Sequence, residues 1–555
     1  MFLGLSGIPL VIISIIAFIL VIGLIILVHE GGHFFFAKKA GILCHEFSIG
    51  MGPVIYQKKF GETRFCIRAI PIGGFVSMAG EDVVDSVIKI DSEIGINLED
   101  GAISEIILDD NKECHVRGKV VDFDLLGMND SPLFITIEEG VLNHYYPVKK
   151  DAFYVFEKKQ RLQITPYDRC FDSKPILNRF LSIVAGPVMN FVLAILIYLI
   201  VAFATGVPNL GSAKIGEVSH LYPAENNLMA GDIITSVNNV SVSSWSEFSS
   251  ALDSVYENNE TEITVVVNRN GEEKSFTMET YTYIASIGLS NIQANNFKLI
   301  DVKGYEAQGL EVGNVAIRYK GSEGNIKNGD ILTKVKVDFR DATPDIEEDI
   351  TSWSRLIEIF KGVNIADIQF EYYSYDKVND SYTLVPLEEC KIIEPYTNEV
   401  LENQRIEKIT QMIGVSPTMH FDLFGCIASA GKSFWSDFTL IFRTLKLLIA
   451  PSDVRQVGVS DLSSFVGIFS MIEMYIAAGL LPLLAFCALL SVNIGVMNLL
   501  PIPALDGGRL MFLLYELITK KKPSKKVETI INNVFFILLM IFFVYVTFND
   551  ILRLF

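Results

Sequence analysis

The chain has 555 residues, of which 50% are hydrophobic and 20% charged, and its formal net charge is −19. A positive mean hydropathy over that length indicates a membrane protein with sizeable soluble parts and more than one domain. Seven cysteines without a CxxC pair exclude a disulfide framework and a thiolate metal site, and the acidic balance argues against nucleic acid as a partner.

Four apolar runs are long enough to span or nearly span a bilayer: Ile8–Val28, Phe180–Thr205, Met474–Leu500 and Ile530–Phe548. The first run lacks the basic start and the small-residue cleavage site of a signal peptide, so we expect it to remain as a span. Basic residues follow the first run and precede the fourth, which predicts that both connections are cytoplasmic. These residues are Lys38, Lys39, Lys58, Lys59, Arg64, Arg68, Lys520, Lys521, Lys522, Lys525 and Lys526. Both termini and the region between the second and third spans are then outside the cytoplasm.

The end of the first run carries the residues of a metal site. His29 and His33 are four apart and therefore project from one face of a helix, where two imidazoles can hold one zinc ion. Glu30 lies close enough to activate a water, which completes the HExxH pattern of metallohydrolases. Because three ionisable side chains are costly to bury in a membrane, a functional site is expected rather than a structural polar contact.

Between residues 41 and 80, glycine-rich turns separate stretches that alternate with period two, which predicts short strands in hairpins. Because this stretch follows the metal site directly, an extended edge there would pair with an unwound substrate by strand addition. An ordinary surface hairpin is the alternative. Residues 81–175 read as a polar, strand-rich insertion, to which the sequence assigns no chemistry.

The region between the second and third spans contains an internal repeat. It has 33 acidic and 17 basic residues between Asn209 and His420, a net charge of −16. A Gly-Asp turn, a strand and a Ser-Trp-Ser helix start occur within 230–248 and again within 328–356. Each copy resembles a PDZ domain. We therefore expect tandem PDZ-like modules that either capture extended peptides or only exclude bulky proteins.

A catalytic zinc site needs three protein ligands and one open position, so the HExxH pair requires a partner. The strongest candidate is Asp506, which follows the third span and lies on the same predicted side of the membrane as His33. Prolines break the helix before Asp506, and two glycines free the backbone after it. The carboxylate would then turn inward at membrane depth.

HEGGH, the NxxPxPxLDGG form of residues 498–508 and the GPVMN stretch at 186–190 together resemble the site-2 protease family. The order of spans, hairpin and tandem modules is similar to the branch of the bacterial regulator of sigma-E protease. The predicted fold is a polytopic α-helical membrane protein with about four transmembrane helices, membrane-associated β-hairpins and two exported PDZ-like α/β domains. The resemblance implies a multi-pass protein of the bacterial cytoplasmic (inner) membrane, with the site toward the cytoplasm.

Position by position, the resemblance implies that Glu30 is the general base and that His29, His33 and Asp506 bind Zn2+. The residues that it implies for the substrate path are Gly73, Gly74, Phe75, Asn190, Asn498, Pro501 and Pro503. The implied partners are transmembrane proteins already shortened outside the membrane, such as anti-sigma factors, remnant signal peptides, and membrane lipid. The implied reaction is hydrolysis of a peptide bond inside the membrane.

The predicted division of the chain follows these features. It comprises the first transmembrane helix (1–40), the hairpins (41–80), the insertion (81–175), the second transmembrane helix (176–208), two PDZ-like domains (209–298 and 299–420), an amphipathic membrane-surface segment (421–473), the third transmembrane helix with the LDGG motif (474–515) and the fourth (516–555).

Two features depart from the family pattern. The insertion is longer than expected, and the chain has Leu462-Ser463-Ser464-Phe465 where the branch usually has Leu-Ser-Gly-Pro. Two other function classes compete with proteolysis. A zinc transporter would place more polar residues along the other spans. An inactive scaffold that gathers exported peptides would have no use for Glu30.

Overall fold

The computed structural model describes residues 8–80, 87–109, 112–128, 131–139, 142–156, 161–220, 222–315, 325–340, 343–363, 365–395, 407–449 and 464–552. Within these ranges, four helices are long and apolar enough to cross a membrane: Val11–Lys39, Ile176–Thr205, Leu480–Leu499 and Lys525–Leu552. The chain forms two compact units. One comprises residues 1–201, 427–442 and 459–555, and the other 202–426 and 443–458.

The helices are α1 (Ile8–Lys39), α2 (Ile176–Thr205), α3 (Trp245–Glu257), α4 (Trp353–Gly362), α5 (Leu423–Ile449), α6 (Phe465–Ala478), α7 (Leu480–Leu499), α8 (Asp506–Thr519) and α9 (Lys525–Leu552). The strands are β1 (Cys44–Phe60), β2 (Thr63–Met78), β3 (Glu93–Glu99), β4 (Ala102–Ile107), β5 (Val116–Asp124), β6 (Phe134–Glu139), β7 (Leu142–Val155), β8 (Arg161–Gln163), β9 (Val207–Pro208), β10 (Ile215–Val218), β11 (Ile233–Val237), β12 (Val240–Ser241), β13 (Glu262–Arg269), β14 (Glu272–Glu279), β15 (Tyr281–Ile284), β16 (Leu289–Ser290), β17 (Ile300–Asp301), β18 (Gln308–Glu311), β19 (Asn314–Val315), β20 (Ile331–Phe339), β21 (Ile346–Asp349), β22 (Ala366–Asp376), β23 (Ser381–Val385), β24 (Ile409–Met412), β25 (Val415–Pro417) and β26 (Met419–His420).

The third apolar run, Met474–Leu500, differs from the predicted continuous span because it is interrupted at Gly479. The helix α6 ends at Ala478, and α7 begins directly after Gly479, whose φ of +120° no helix accommodates. Pro482 then falls in the first turn of α7, where a backbone N–H is not needed. The helices on the two sides of Gly479 are similarly apolar, so hydropathy does not predict the break. The sequence departs from the family pattern at residues 462–465, and of these four, residues 462 and 463 lie outside the described residues.

The strands β1 and β2 form the hairpin that follows α1. Phe47 of β1 has both Phe65 and Val76 of β2 as pairing partners, so the first half of β1 lies between the two ends of β2. The ring of Phe47 also lies 5.5 Å from that of Phe34 on α1. This aromatic contact attaches the hairpin to α1 directly after the HExxH motif.

The insertion forms a barrel. Its strands follow the order β4-β3-β5-β6-β7-β8, and β4 also pairs in parallel with β7, which closes the sheet. The interior is filled by fully buried isoleucines, including Ile96, Ile106 and Ile135. An enclosed apolar core of this kind makes the insertion a folded unit rather than a long loop.

In the second unit, the predicted repeat has equivalent local structure in both copies. Gly231 and Gly329 have φ of +97° and +89°, and an aspartate follows each glycine. The helices α3 and α4 each start at a serine whose hydroxyl caps the helix: Ser244 accepts from Glu247 N at 3.2 Å and Ser352 from Arg355 N at 3.1 Å. The turn and the cap are therefore local features that the sequence pattern predicts.

The boundary between the two copies differs from a simple tandem arrangement. The first copy builds its sheet from β12-β11-β13-β14, and the second from β17-β18-β20-β22-β23. However, β25, which follows the second copy in sequence, pairs with β10 of the first. Ile413 and Val415 also pack into the core of the first copy. The second copy is therefore inserted into the first, which the sequence repeat by itself did not indicate.

Candidate metal centre

The helix α1 continues without a break through the HExxH motif, so His29, Glu30 and His33 project from its last three turns. All three residues are buried, with 8%, 9% and 6% of the surface of each residue exposed. The two imidazole rings lie 4.8 Å apart, which agrees with their spacing of four on a helix. One helix therefore supplies two nitrogen donors and a neighbouring carboxylate.

Asp506 joins this group from the first turn of α8. Its Oδ2 atom lies 3.3 Å from His29 Nε2 and 3.3 Å from His33 Nε2, and the two Nε2 atoms are 3.2 Å apart. The structure thus brings together the two histidines and the aspartate that the sequence predicted as ligands. Within the described residues, this is the group of histidine, cysteine and acidic side chains whose donor atoms converge as a metal site requires.

A tight turn between α7 and α8 carries Asp506 into the site. Ala504 has φ of +74°, and its N–H donates to Asn532 Oδ1 on α9 at 3.2 Å. A Cβ atom on Gly507 would lie 2.0 Å from Leu500 O, and one on Gly508 would lie 2.6 Å from Ile502 O. These two glycines are therefore required by close backbone contact. That differs from the expectation that they free the backbone after the aspartate, because both lie within α8.

The residues at this site fit a zinc ion. Donor atoms at the usual Zn–N and Zn–O lengths in a tetrahedron are about 3.3 Å apart, and the three distances among His29, His33 and Asp506 are 3.2–3.3 Å. Asp506 Oδ2 is buried and has no hydrogen-bond partner among the described residues. Two imidazoles and one carboxylate, with Glu30 beside them, form the donor set of a catalytic zinc site.

The helix α2 contacts both histidines. His33 Nδ1 donates to the backbone oxygen of Ser182 at 2.8 Å, and Asn190 Nδ2 lies 3.2 Å from His29 Nδ1. Gly186 stands between them, and a Cβ atom there would lie 2.2 Å from His33 Nε2. Sequence reasoning missed Ser182 and the contact at Gly186. The spacing of four among the three residues was the available signal.

A buried ion pair joins α2 to α8. The guanidinium of Arg179 donates to both carboxylate oxygens of Glu516, at 2.7 and 2.9 Å. These hydrogen bonds lower the pKa of Glu516. Sequence reasoning also missed this pair. It links the helix that begins with Asp506 to the helix that contacts the histidines, and such a bidentate contact fixes both position and orientation.

The end of β2 lies beside Glu30. A Cβ atom on Gly74 would lie 2.9 Å from Glu30 Cγ and 2.8 Å from Ile26 Cγ2, so only glycine allows this approach. Gly73 has φ of +77°, and the ring of Phe75 lies 5.2 Å from the guanidinium carbon of Arg68. The structure therefore brings the predicted Gly73–Phe75 stretch next to Glu30.

The remaining predicted residues lie on the approach to Asp506. Asn498 is half-buried in the last turn of α7, Pro501 is exposed, and Pro503 is half-buried in the turn that follows. None of the three belongs to the group of converging donor atoms. Their assignment to a substrate path stays a prediction.

The tip of the hairpin is held by a separate ionic group outside the metal site. Arg169 donates to both oxygens of Glu62 at 2.7 Å, and Lys38 contacts the same carboxylate. The hydrogen bonds from Arg169 lower the pKa of Glu62 to about 2. The loop between β1 and β2 is therefore tied to the segment that leads into α2.

A buried HExxH helix that meets an aspartate from a second helix defines a membrane metallohydrolase. Comparison with known proteins agrees. The model of peptidase family M50 matches residues 17–542. The chain is 31% identical over 546 residues to zinc metalloprotease RasP of Shouchella clausii, covering 98% of this chain and 99% of that protein. It is 29% identical over 547 residues, with the same coverage, to zinc metalloprotease RasP of Oceanobacillus iheyensis.

The chain therefore belongs to peptidase family M50, the site-2 protease family. This membership confirms the predicted enzyme class, a zinc metalloprotease of the site-2 type, and the predicted cofactor. The four apolar helices agree with a protein embedded in a membrane.

Proposed function

We propose that this chain hydrolyses peptide bonds within the transmembrane segments of membrane proteins. The observation that carries the proposal is the triangle of His29 Nε2, His33 Nε2 and Asp506 Oδ2, with sides of 3.2–3.3 Å. Two of these donors belong to a helix that is apolar enough to cross a membrane. Ionisable side chains inside a membrane span are too costly to be expected for structural support alone, and two imidazoles with a carboxylate are ligands that metal-assisted hydrolysis uses.

The chemistry divides between the metal and the protein. His29, His33 and Asp506 would hold zinc, which supplies Lewis acidity toward the scissile carbonyl and toward a water. Glu30 takes the proton of the attacking water and later delivers it to the leaving amine. Burial keeps this carboxylate away from bulk water, so its proton is available to the leaving group rather than lost to solvent.

Substrate helix must unwind before it can be cut, because a helical carbonyl is already hydrogen-bonded and sterically covered. The end of β2 at Gly73, Gly74 and Phe75 is a backbone edge that replaces those hydrogen bonds by strand addition. Its support is the close approach of Gly74 to Glu30. Asn498, Pro501 and Pro503 line the approach, as the family resemblance implies.

We place the protein in the bacterial cytoplasmic membrane, with the metal centre toward the cytoplasm and the two repeats exported. The basic residues after α1 and before α9 support this orientation. The repeats act as PDZ-like modules that capture or exclude the exported part of a substrate. The substrates are transmembrane proteins whose exported part is already truncated, such as anti-sigma factors, together with remnant signal peptides.

The first experiment compares wild type with Glu30→Gln in purified, detergent-solubilised protein on a model single-span substrate, with bound zinc quantified in both. We expect the variant to retain zinc and to lose cleavage by about 100-fold or more, because it lacks the general base. Glu272→Gln, an exposed change of the same kind on β14, is the matched control. Cleavage at the wild-type rate by Glu30→Gln would contradict the assignment of the base.

A further inference from the structure

The backbone edge at Gly73–Phe75 belongs to a sheet with two different faces. A Cβ atom on Gly74 would point toward α1, 2.9 Å from Glu30 Cγ. Because side chains alternate along a strand, Phe75 points to the opposite face. Ser48 of β1 is fully buried and pairs directly with Phe75, so it lies on this second face. The edge is therefore supported from the face remote from α1.

The guanidinium of Arg68 joins the polar side chains on that face. Its Nε donates to Ser48 Oγ at 3.0 Å, and its Nη2 donates to Glu46 Oε1 at 2.5 Å. Arg64 donates to the other oxygen of this buried carboxylate at 2.6 Å. Burial opposes ionisation of Glu46, but the hydrogen bonds from Arg68 and Arg64 outweigh it and lower the pKa. Glu46 is therefore a charged and fixed anchor for Arg68.

Arg68 also contacts the bend of β1 and the end of β2. Its Nη1 donates to Gly52 O at 2.7 Å, and its guanidinium carbon lies 5.2 Å from the centre of the Phe75 ring, within the range of a cation–π contact. A Cβ atom on Gly73 would lie 3.0 Å from Met51 Cε. The bend of β1 therefore packs against the start of the edge, and Arg68 holds both.

We propose that Arg68 is a positioning residue for the substrate edge at Gly73–Phe75. Its guanidinium, anchored on Glu46, fixes the Phe75 ring and the bend of β1, and so sets the position of the edge beside Glu30. An unwound substrate that pairs with the edge then has its scissile bond beside the metal centre. None of the described contacts of Arg68 reaches a metal ligand, so it acts through the strand. This inference rests on the proposed function, in which the edge binds substrate.

Arg64 is the matched control for Arg68. It binds the same Glu46 carboxylate, but it lies next to the turn of the hairpin, with 46% of its side chain exposed. Among the described residues it contacts neither Gly52 nor Phe75. If the arginines serve only to neutralise a buried carboxylate, removal of either should be harmful. If Arg68 positions the edge, the two variants should differ in catalysis.

The test measures kcat and KM of the full chain in detergent on a single-span substrate, per bound zinc and well below the unfolding temperature. We expect Arg68→Met to retain zinc and to lose about 10–100-fold in kcat/KM, because a displaced edge misplaces the scissile bond. Arg68→Lys keeps the charge without the planar fork and should lie between the two. Arg64→Met should stay within about threefold of wild type, since it leaves the edge in place.

A double-mutant cycle tests whether Arg68 acts through the ring. In a Phe75→Leu background, Arg68→Met should cost at least about threefold less than in the wild-type background, because the contact is already lost. Hydrogen exchange at residues 73–76 should also be faster in Arg68→Met than in Arg64→Met.

Wild-type kcat/KM in Arg68→Met would overturn the proposal. Equal losses in the two arginine variants, or full additivity with Phe75→Leu, would also overturn it, because a purely structural role predicts those results. If Arg68→Met fails to fold, Arg68→Lys takes its place in the same cycle. Failure of the proposed function looks different: wild type would bind zinc without cleaving substrate. Hydrogen exchange at 73–76 would then still decide, and equal rates in the two arginine variants would refute a hold of Arg68 on the edge.

Discussion

Asp232 and Asp506 are both acidic residues with little exposed surface, but their oxygens meet different partners. Asp232, in the turn of the first repeat, accepts from Arg269 at 2.7 and 2.8 Å and from Met229 N at 3.0 Å. Asp506 Oδ2 is buried with two histidine nitrogens at 3.3 Å and no hydrogen bond among the described residues. A turn aspartate with satisfied oxygens stabilises its fold, whereas an unsatisfied one among nitrogen donors indicates a ligand site.

The repeats extend this comparison. Asp330 occupies the position of Asp232 in the second copy. It accepts from two backbone groups, Tyr375 N at 2.9 Å and Lys327 N at 2.8 Å, and from the Ser374 hydroxyl, and within the described part of the chain no arginine pairs with it. Burial raises the pKa of Asp330, although these hydrogen bonds oppose the shift. Burial alone would also raise the pKa of Asp232, but the hydrogen bonds from Arg269 outweigh it and lower that pKa. The two turns therefore have the same local structure but shift the pKa of their aspartate in opposite directions.

The largest expected effect comes from Asp506→Ala. The zinc affinity should fall by more than about 100-fold. A residue that only hydrogen-bonds to a metal ligand changes the affinity by up to about 100-fold, and a direct ligand contributes more. Stability of the zinc-free protein should change by less than about 1 kcal/mol, because the side chain makes few favourable contacts without metal. Chelator competition and thermal unfolding in detergent measure the two quantities. Asp253→Ala, exposed on α3, is the matched control. Full zinc occupancy in Asp506→Ala would remove Asp506 from the ligand set.

Asp232→Asn should show the opposite behaviour, with unchanged zinc affinity and a first repeat destabilised by roughly 3 kcal/mol at neutral pH, because Arg269 loses its charged partner. Asp330→Asn should cost only about 1 kcal/mol. Hydrogen exchange in β11 and β20 of the full chain, corrected for intrinsic rates, reads each repeat separately. Equal loss of protection in the two variants would mean that Arg269 adds nothing to the stability of the first repeat.

The same two residues predict different pH dependences. The folded pKa of Asp232 is lower than its unfolded value of about 3.9, so its contribution is present above that pH and is lost as pH falls through the folded pKa. The folded pKa of Asp330 is raised, so its contribution is present at low pH and is lost as pH rises through the folded pKa. As the pH falls below about 4, protection of β11 should fall relative to that of β20. A parallel change in both strands would contradict the distinction.

The smallest effect concerns two neighbouring glycines of the HExxH motif. A Cβ atom on Gly32 would lie 2.4 Å from Ala185 O, whereas one on Gly31 would have nothing within 4 Å. Gly32→Ala should therefore lower stability by about 1–3 kcal/mol through overpacking of α1 against α2. Gly31→Ala should be neutral or raise stability by up to about 1 kcal/mol, because alanine favours the helix. Thermal unfolding of both variants checks this. An unperturbed Gly32→Ala protein would show that the two helices can separate without cost.

Much of the metal centre is predictable because its signals are local or chemical. The spacing of His29 and His33 follows from the period of a helix, and the search for a third ligand follows from the coordination needs of zinc. The number of spans follows from apolar length. The break at Gly479 was missed because hydropathy does not register backbone conformation.

By itself, the sequence determined the helix that carries HExxH, the candidate Asp506, the four apolar spans and the repeated Gly-Asp turns. Only the tertiary structure decided what surrounds them. The partners of the histidines, Ser182 and Asn190, are 149 and 161 residues away along the chain, and the Arg179–Glu516 pair spans 337 residues. A backbone carbonyl such as that of Ser182 has no sequence signature, and its role depends on helix packing. Nor can a repeat show that β25 returns to the first copy, since strand pairing across such a distance is fixed by the shared core.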